Sequence, residues 1–253
     1  MNIVVTVKVV PEEIKIDQLS GKIMREGKKS MFNQLDMVAL EEALKLKKSL
    51  KASLTVFSMA PLSEERLLNS LFGYGVDRVV LISDPLFSGS DALATAIILR
   101  EAIVKIDGNY DLIIQGDYSA DGSTGILGGE LAALLGVTYL SHAMSLEYLA
   151  GTLAVKRYTS SIETFSVKLP ALISMRSGAN SGAILNLFAL SRTKDKKVEI
   201  YSNGELCVDP MSVGSLGSKT ESSLIKKRSE TLNRELIKNG GYRKIVEYLK
   251  NTR

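Results

Sequence analysis

The chain has 253 residues, 45% hydrophobic, 24% charged and 6% aromatic, with a net charge of +4. This composition excludes wholesale disorder and leaves core material for one large or two small domains, and no run approaches the ~18 apolar residues of a membrane span. Residues 1–10 (MNIVVTVKVV) lack the features of a signal peptide. One cysteine (Cys207) and one histidine (His142) argue against a disulfide, a metal cluster and a Ser-His-Asp triad, so a reducing cytoplasm is the expected compartment.

Residues 2–9 (NIVVTVKV) are a β-branched run, expected as a buried strand. Residues 36–50 place Leu40, Ala43 and Leu44 at helical spacing, with Asn33 and Asp36 as candidate N-caps. Residues 53–58 form a second strand. Ser63 starts a helix that stops near Gly73-Tyr74-Gly75. Residues 77–83 (DRVVLIS) are a third strand, and Ser90 and Asp91 open a helix to about Ile106. A fourth strand covers 111–115, a polar loop 116–123, a helix 124–135 and a short strand 136–140. The pattern then changes: 143–149, 152–158 and 161–168 alternate like an antiparallel meander with a turn at Ala150-Gly151. Residues 171–175 (ALISM) read as buried. A short strand (KVEIY) and a polar arm follow, with a helix expected from Tyr242 to Lys250.

Strands alternating with helices of about a dozen residues imply right-handed crossovers and an α/β fold, a parallel sheet with helices on both faces. The expected division is an α/β domain over 1–192, with the meander at 143–176, and a C-terminal arm over 193–253 that has too little apolar content to fold alone. The charge follows that division. Residues 219–253 hold ten Lys/Arg against four Asp/Glu, while the rest of the chain holds 22 against 24. A solvated tail and a nucleic-acid arm both fit a basic end. Only Tyr242 and Tyr248 could supply stacking aromatics there, so no nucleic-acid partner is expected.

In an open parallel sheet, ligands sit outside the carboxyl ends of the strands. Four loops qualify: Lys8 to Pro11, Ser58 to Pro61, Asp84 to Asp91 and Gly116 to Thr124. The last, GDYSADGSTG, leads into a helix, and its Gly116, Gly122, Gly125, Ser123 and Thr124 suit a phosphate at a helix N-terminus. It also reads as a plain loop and cap. Ser88-Gly89-Ser90-Asp91 with Ala94-Thr95 reads either as a helix cap or as a small-residue seat for a flat ring. There is no GxGxxG after a strand and no GxxxxGK[ST]. His142 and Cys207 read as structural or inert. Asp84, Asp91, Asp117 and Asp121 fall on neighbouring loops, but without DxDxD spacing no metal is expected. No nucleophile–base pair stands out, so no catalytic side chain is expected.

Six stretches in order resemble the β subunit of electron-transfer flavoproteins: VTVKVVP at 5–11, SMFNQLDMVALEEALKLK at 30–47, TVFSMAP at 55–61, GYGVDRVVLISD at 73–84, GDYSADGSTGILG at 116–128 and KLPALISM at 168–175. SDPLFSGSDALATAIIL at 83–99 and DGSTG at 121–125 resemble the electron-bifurcating branch, whose β subunit binds a second FAD. Another branch binds AMP in the same pocket. The sequence departs from the family at Ile126, where a loop glutamine is usual, and at Asn180-Ser181-Gly182-Ala183, where proline and arginine are usual.

The resemblance implies an adenine-nucleotide α-hydrolase-like fold. It places the adenosine diphosphate part of FAD near Thr6, Lys8, Asn33, Asp36, Ser58, Met59, Gly116, Asp117, Asp121, Gly122, Ser123, Thr124 and Gly125, and the flavin ring near Gly89, Ser90, Asp91, Ala94 and Thr95. It further implies NADH as electron donor, an α subunit carrying another FAD on which the meander and the C-terminal arm pack, an acyl-CoA or other flavin dehydrogenase, and ferredoxin or flavodoxin as low-potential acceptor. Segment 184–191 would dock on the dehydrogenase with Leu187 as anchor, or else form a short core helix.

Overall fold

The computed structural model describes residues 1–13, 15–16, 23–24, 29–149, 151–220 and 246. In β1 (Asn2–Thr6), Ile3, Val4 and Val5 are all buried. A strand apolar on both faces needs cover on both, and β1 has it inside a nine-stranded sheet. The strand expected over 2–9 stops at Thr6. Lys8 N–H donates to the Asp36 carboxylate and the Lys8 carbonyl accepts from Asn33 N–H, which turns the chain out of the ladder. Beyond that turn, β2 (Val9–Pro11), β3 (Lys15–Ile16), β4 (Ile23–Met24) and β5 (Ser30–Phe32) form two small antiparallel ladders, β2 with β5 and β3 with β4.

Helix and strand then alternate: α1 (Gln34–Leu50), β6 (Ser53–Met59), α2 (Glu65–Asn69), β7 (Arg78–Ile82), α3 (Ala92–Ala102), β8 (Leu112–Gly116) and α4 (Leu127–Leu135). The remaining strands are β9 (Thr138–Leu149), β10 (Thr152–Tyr158), β11 (Ile162–Val167), β12 (Ala171–Met175) and β13 (Glu199–Tyr201). The sheet order is β11-β10-β9-β12-β8-β1-β6-β7-β13. Every pairing from β9 across to β13 is parallel, and β10 and β11 add an antiparallel edge. This is the α/β fold.

Side-chain alternation sorts the core into two layers. Ile3, Val5, Leu54, Val56, Leu112 and Ile114 pack with Val38, Leu40 and Ala43 of α1. Val4, Phe57, Val80, Ile113 and Leu172 pack with Ala96, Ile98 and Leu99 of α3 and Leu131 of α4. Full burial of each such side chain is worth about 1.5–3 kcal/mol, so both layers stabilise the sheet. The inner face of α1 also carries two buried carboxylates, each matched to backbone donors. Asp36 serves Lys8 and Gly116, and Glu42 accepts from Leu146 N–H of β9 at 2.9 Å.

Three expectations change. Residues 136–140 and 143–149 are not separate strands but one, β9, bulged at His142, whose φ of 59° lies in the left-handed region. The helix expected from 124 begins at Leu127. Asn33 occupies the N-cap position of α1 without a side-chain cap bond, and Asp36 lies inside the first turn. The short strand expected after Arg192 is present: β13 pairs with β7, and Leu206, Val208 and Val213 join the α3-side core. The short helices α6 (Asn203–Leu206) and α7 (Gly214–Gly217) lie in this stretch. Apart from Val246, the helix expected over 242–250 lies outside the described residues. No helix among the described residues is long and apolar enough to cross a membrane.

Candidate functional site

The carboxyl ends of β6, β1 and β8 lie side by side and carry polar residues in an otherwise apolar sheet. By alternation Thr6, Met59 and Gln115 face the α3/α4 layer and Ser58 faces the α1 layer. Ser58 Oγ and Gln115 Oε1 are buried and have no hydrogen-bond partner. A buried oxygen without a partner costs about 1–3 kcal/mol, so Gln115 on the α3/α4 face marks a place built for something to bind, while Ser58 lies on the opposite face.

The 116–126 loop forms one wall and is fastened from the α1 side. Gly116 sits where a Cβ would lie 2.6 Å from both Asp36 Oδ1 and Leu35 Cβ, so only glycine lets α1 pass this close. Asp36 accepts from Gly116 N–H at 3.0 Å and from Lys8 N–H at 2.8 Å, joining the ends of β8 and β1. Burial, partly offset by these bonds, raises its pKa to about 6. The Asn33 amide holds the loop twice, donating to Tyr118 O at 3.0 Å and accepting from Ala120 N–H at 3.1 Å. That use of the side chain explains why it does not cap α1. Lys8 Nζ reaches Asp121 at 2.6 Å and Ser119 Oγ at 3.2 Å.

The head of α4 closes this wall. Ile126 precedes it without a side-chain cap, so the first N–H groups of a nine-residue helix are left for another acceptor. A Cβ on Gly128 would lie 2.6 Å from Gln115 Nε2 and 2.9 Å from the Tyr139 ring, whose hydroxyl pairs with Ser174 at 2.7 Å. Glu130, in the first turn, has one buried oxygen without a partner. Its pKa is raised by burial and by the charge of Asp91 at the head of α3, and α3 and α4 pack in the same layer of the core.

The α3 head forms the other wall. Asp91 caps α3, accepting from Ala94 N–H at 2.9 Å. Ser90 Oγ donates to Phe87 O and accepts from Gly214 N–H, and Gly89 O accepts from Ser218 Oγ. Thr95 N–H is spent within the helix on Asp91 O.

The residues expected at the site therefore fall into two groups. Lys8, Asn33, Asp36, Gly116 and Asp121 are knit together by hydrogen bonds, with Thr6, Ser58 and Met59 at the adjoining strand ends. Gly89, Ser90, Asp91, Ala94 and Thr95 form the α3 head, whose polar groups are engaged by residues 214–220. Ser123 and Thr124 are exposed in the loop ahead of α4 rather than inside it; Ser123, with φ of 52°, bonds back to Ser119 O, and Gly125, with φ of 67°, follows. Gly122 is exposed, and a Cβ placed there would press on Ser119 Oγ at 3.3 Å and meet Lys8 Nζ at 3.9 Å.

Asp117 turns away from this set to hold the β9 bulge, accepting from His142 N–H at 3.1 Å and pairing with its Nδ1 at 2.6 Å. Asp84 accepts from Leu86 and Asn203 N–H groups. Each of the four loop aspartates thus serves protein partners, and among the described residues no three His, Cys, Asp or Glu side chains gather as metal ligands.

Sequence reasoning missed Gln115, Glu130 and the His142 pairing. A glutamine ending the buried run DLIIQ was the available signal for the first. Nothing local signals the others.

The segment at 184–191 is exposed. Leu187 opens α5 (Leu187–Ser191) with 70% of its surface free, and Ile184 and Phe188 are 83% exposed. Leu185 and Leu190 hold the segment down, because a Cβ on Gly73 would meet them at 2.6 and 2.8 Å. A short core helix is therefore excluded.

Fold and site together define a class: an α/β protein with a mostly parallel sheet, two helix heads converging at its carboxyl edge, and an exposed apolar segment nearby. The electron transfer flavoprotein domain matches residues 20–205. The electron transfer flavoprotein subunit beta of Clostridium acetobutylicum is 34% identical over 232 residues, covering 90% of this chain and 88% of that protein. Protein FixA of Bradyrhizobium diazoefficiens is 35% identical over 206 residues, covering 77% and 72%, and protein FixA of Azotobacter vinelandii is 32% identical over 229 residues, covering 87% and 82%. The chain belongs to the electron transfer flavoprotein family, among its β-subunit and FixA members.

Proposed function

We propose that this chain is the β subunit of a heterodimeric electron transfer flavoprotein and that the crevice between the α3 and α4 heads holds FAD. The observation that carries the reading is the buried, partnerless Gln115 Oε1 against the uncapped head of α4, where Glu130 holds a second such oxygen. These groups fit an adenosine diphosphate. The α4 N–H groups suit the diphosphate, Lys8 in its pair with Asp121 fastens the loop beside it, and Asn33 and Asp36 fix the backbone that shapes its seat. The flavin, when bound, exchanges a hydride or single electrons. The polypeptide binds it, orients it and excludes water.

The resemblance of residues 83–99 and 121–125 to the bifurcating branch supports FAD here, with NADH as donor, a ferredoxin or flavodoxin as low-potential acceptor, and an α subunit and a flavin dehydrogenase as partners. The exposed trio Ile184, Leu187 and Phe188 supports docking of the dehydrogenase. AMP in the same crevice is the second reading. It is favoured by the engagement of Gly89, Ser90 and Asp91 with residues 214–220, which leaves those polar groups already satisfied. The test is the nucleotide content of the purified heterodimer after denaturation. Two FAD per pair is the expected result, one FAD plus one AMP selects the second reading, and a single FAD with no other nucleotide refutes both.

A further inference from the structure

Residues 88–91 and 214–220 are far apart in the chain and are stitched together by an unusual density of bonds. Asp91 Oδ1 caps α3 through Ala94 N–H. Its Oδ2 accepts from Lys219 N–H at 2.7 Å, Thr220 N–H at 2.9 Å and Thr220 Oγ1 at 3.0 Å. Its own N–H donates to Ser218 Oγ at 2.8 Å, and that hydroxyl also lies against Gly89 O and Gly214 O. Gly214 N–H donates to Ser90 Oγ and Ser215 N–H to Ser88 O. Partial burial opposes ionisation of Asp91, but the backbone donors outweigh it and hold its pKa below the usual carboxylate range. The carboxylate is therefore charged, and its bonds are of the charge-assisted kind.

We propose that Asp91 is a positioning residue that ties the C-terminal arm to the α3 head, so that release of the arm at residues 214–220 and loosening of the 88–91 loop are one event. One oxygen serves the helix and the other serves the arm. The arm in turn holds both the carbonyls and the hydroxyl of the loop. Neither side is rigid without the other, because Gly89, with φ of 79°, and Gly214, with φ of 64°, give both strips free backbones. On the proposed placement of the FAD ring at that loop, arm docking sets the shape of the cofactor's seat. A partner that takes hold of the arm would thereby act on the flavin.

The test is amide hydrogen exchange of the full chain without added nucleotide, so that its outcome is independent of whether FAD or AMP binds. Asp91→Asn separates the two roles. Asparagine is as good an N-cap as aspartate, but its amide turns an N–H₂ toward the Lys219 and Thr220 N–H groups. Exchange at 214–220 and at 88–91 is expected to rise about tenfold or more together, as loss of two or three charge-assisted bonds implies, while 96–102 in α3 stays protected. The combined variant Ser218→Ala, Thr220→Val touches only the arm and keeps the test decisive if Asp91→Asn disturbs α3. It too is expected to speed exchange at 88–91. Unchanged exchange at 214–220 in Asp91→Asn, or unchanged exchange at 88–91 in the arm variant, overturns the proposal.

Discussion

Asp36 is a buried carboxylate that accepts from two backbone N–H groups, and its burial outweighs those bonds. Its pKa moves from the ordinary 3.8 to about 6. A raised carboxylate pKa means that the contribution to stability is full below about 4 and is lost as pH rises through 6. At 1.36 kcal/mol per unit, the swing is about 3 kcal/mol. The unfolding free energy of the protein minus that of Asp36→Asn should therefore fall by roughly that amount between pH 4 and pH 7.5, measured by denaturant titration. A flat difference would mean that the group keeps its ordinary pKa. Gly122 answers a different question. Gly122→Val would fill the space beside Ser119 Oγ and Lys8 Nζ in an exposed loop that adds little core. Bound nucleotide should be lost from the purified protein with the far-UV circular dichroism unchanged. Full retention would place the ligand elsewhere. The roles of these residues were unevenly legible. The capping of α3 by Asp91 follows from local chemistry and could be read in advance. Asn33 and Asp117 could not, because what each side chain binds lies far along the chain, on Tyr118, Ala120 and His142.

At the scale of elements, α5 shows how one short segment divides its labour. Leu185 and Leu190 grip Gly73, while Leu187 and Phe188 point outward. Leu187→Ala should slow electron exchange with the partner dehydrogenase about tenfold or more, the cost of removing an interface anchor, and leave flavin content and Tm unchanged. Gly73→Val should do the reverse to the fold, dislodging the segment and lowering Tm, since its Cβ has no room. If Leu187→Ala also lowers Tm, the residue belongs to the core. The strands were legible because runs such as RVVLI and LIIQ are apolar on both faces, as a covered parallel sheet demands. The continuity of β9 was not. Its bulge depends on a histidine with positive φ, held by Asp117 from another strand end, and a lone histidine in an alternating run gives no sign of that.

At the scale of the molecule, the short strand expected after Arg192 ties the first part of the arm to the sheet. β13 completes the edge beyond β7, with Ser83 N–H donating to Tyr201 O and Arg78 forking onto Glu199 at 2.9 and 2.8 Å. That ion pair is partly exposed and contributes little by itself. The apolar residues behind it matter more. Leu206, Val208 and Val213 are buried in the layer that contains Ile98 and Phe87. At about 1.5–3 kcal/mol each, their loss amounts to roughly 5–9 kcal/mol, comparable with the 5–15 kcal/mol by which a whole domain is stable. Asp84 would lose its bond to Asn203 N–H, and the unpaired edge of β7 would be open to other chains. Ending the chain after Lys197 should therefore give a protein that unfolds without a cooperative transition near that of the full chain and self-associates in light scattering. A truncated chain that stays monomeric with the Tm of the full protein would return the whole of residues 198–220 to the role of an appendage.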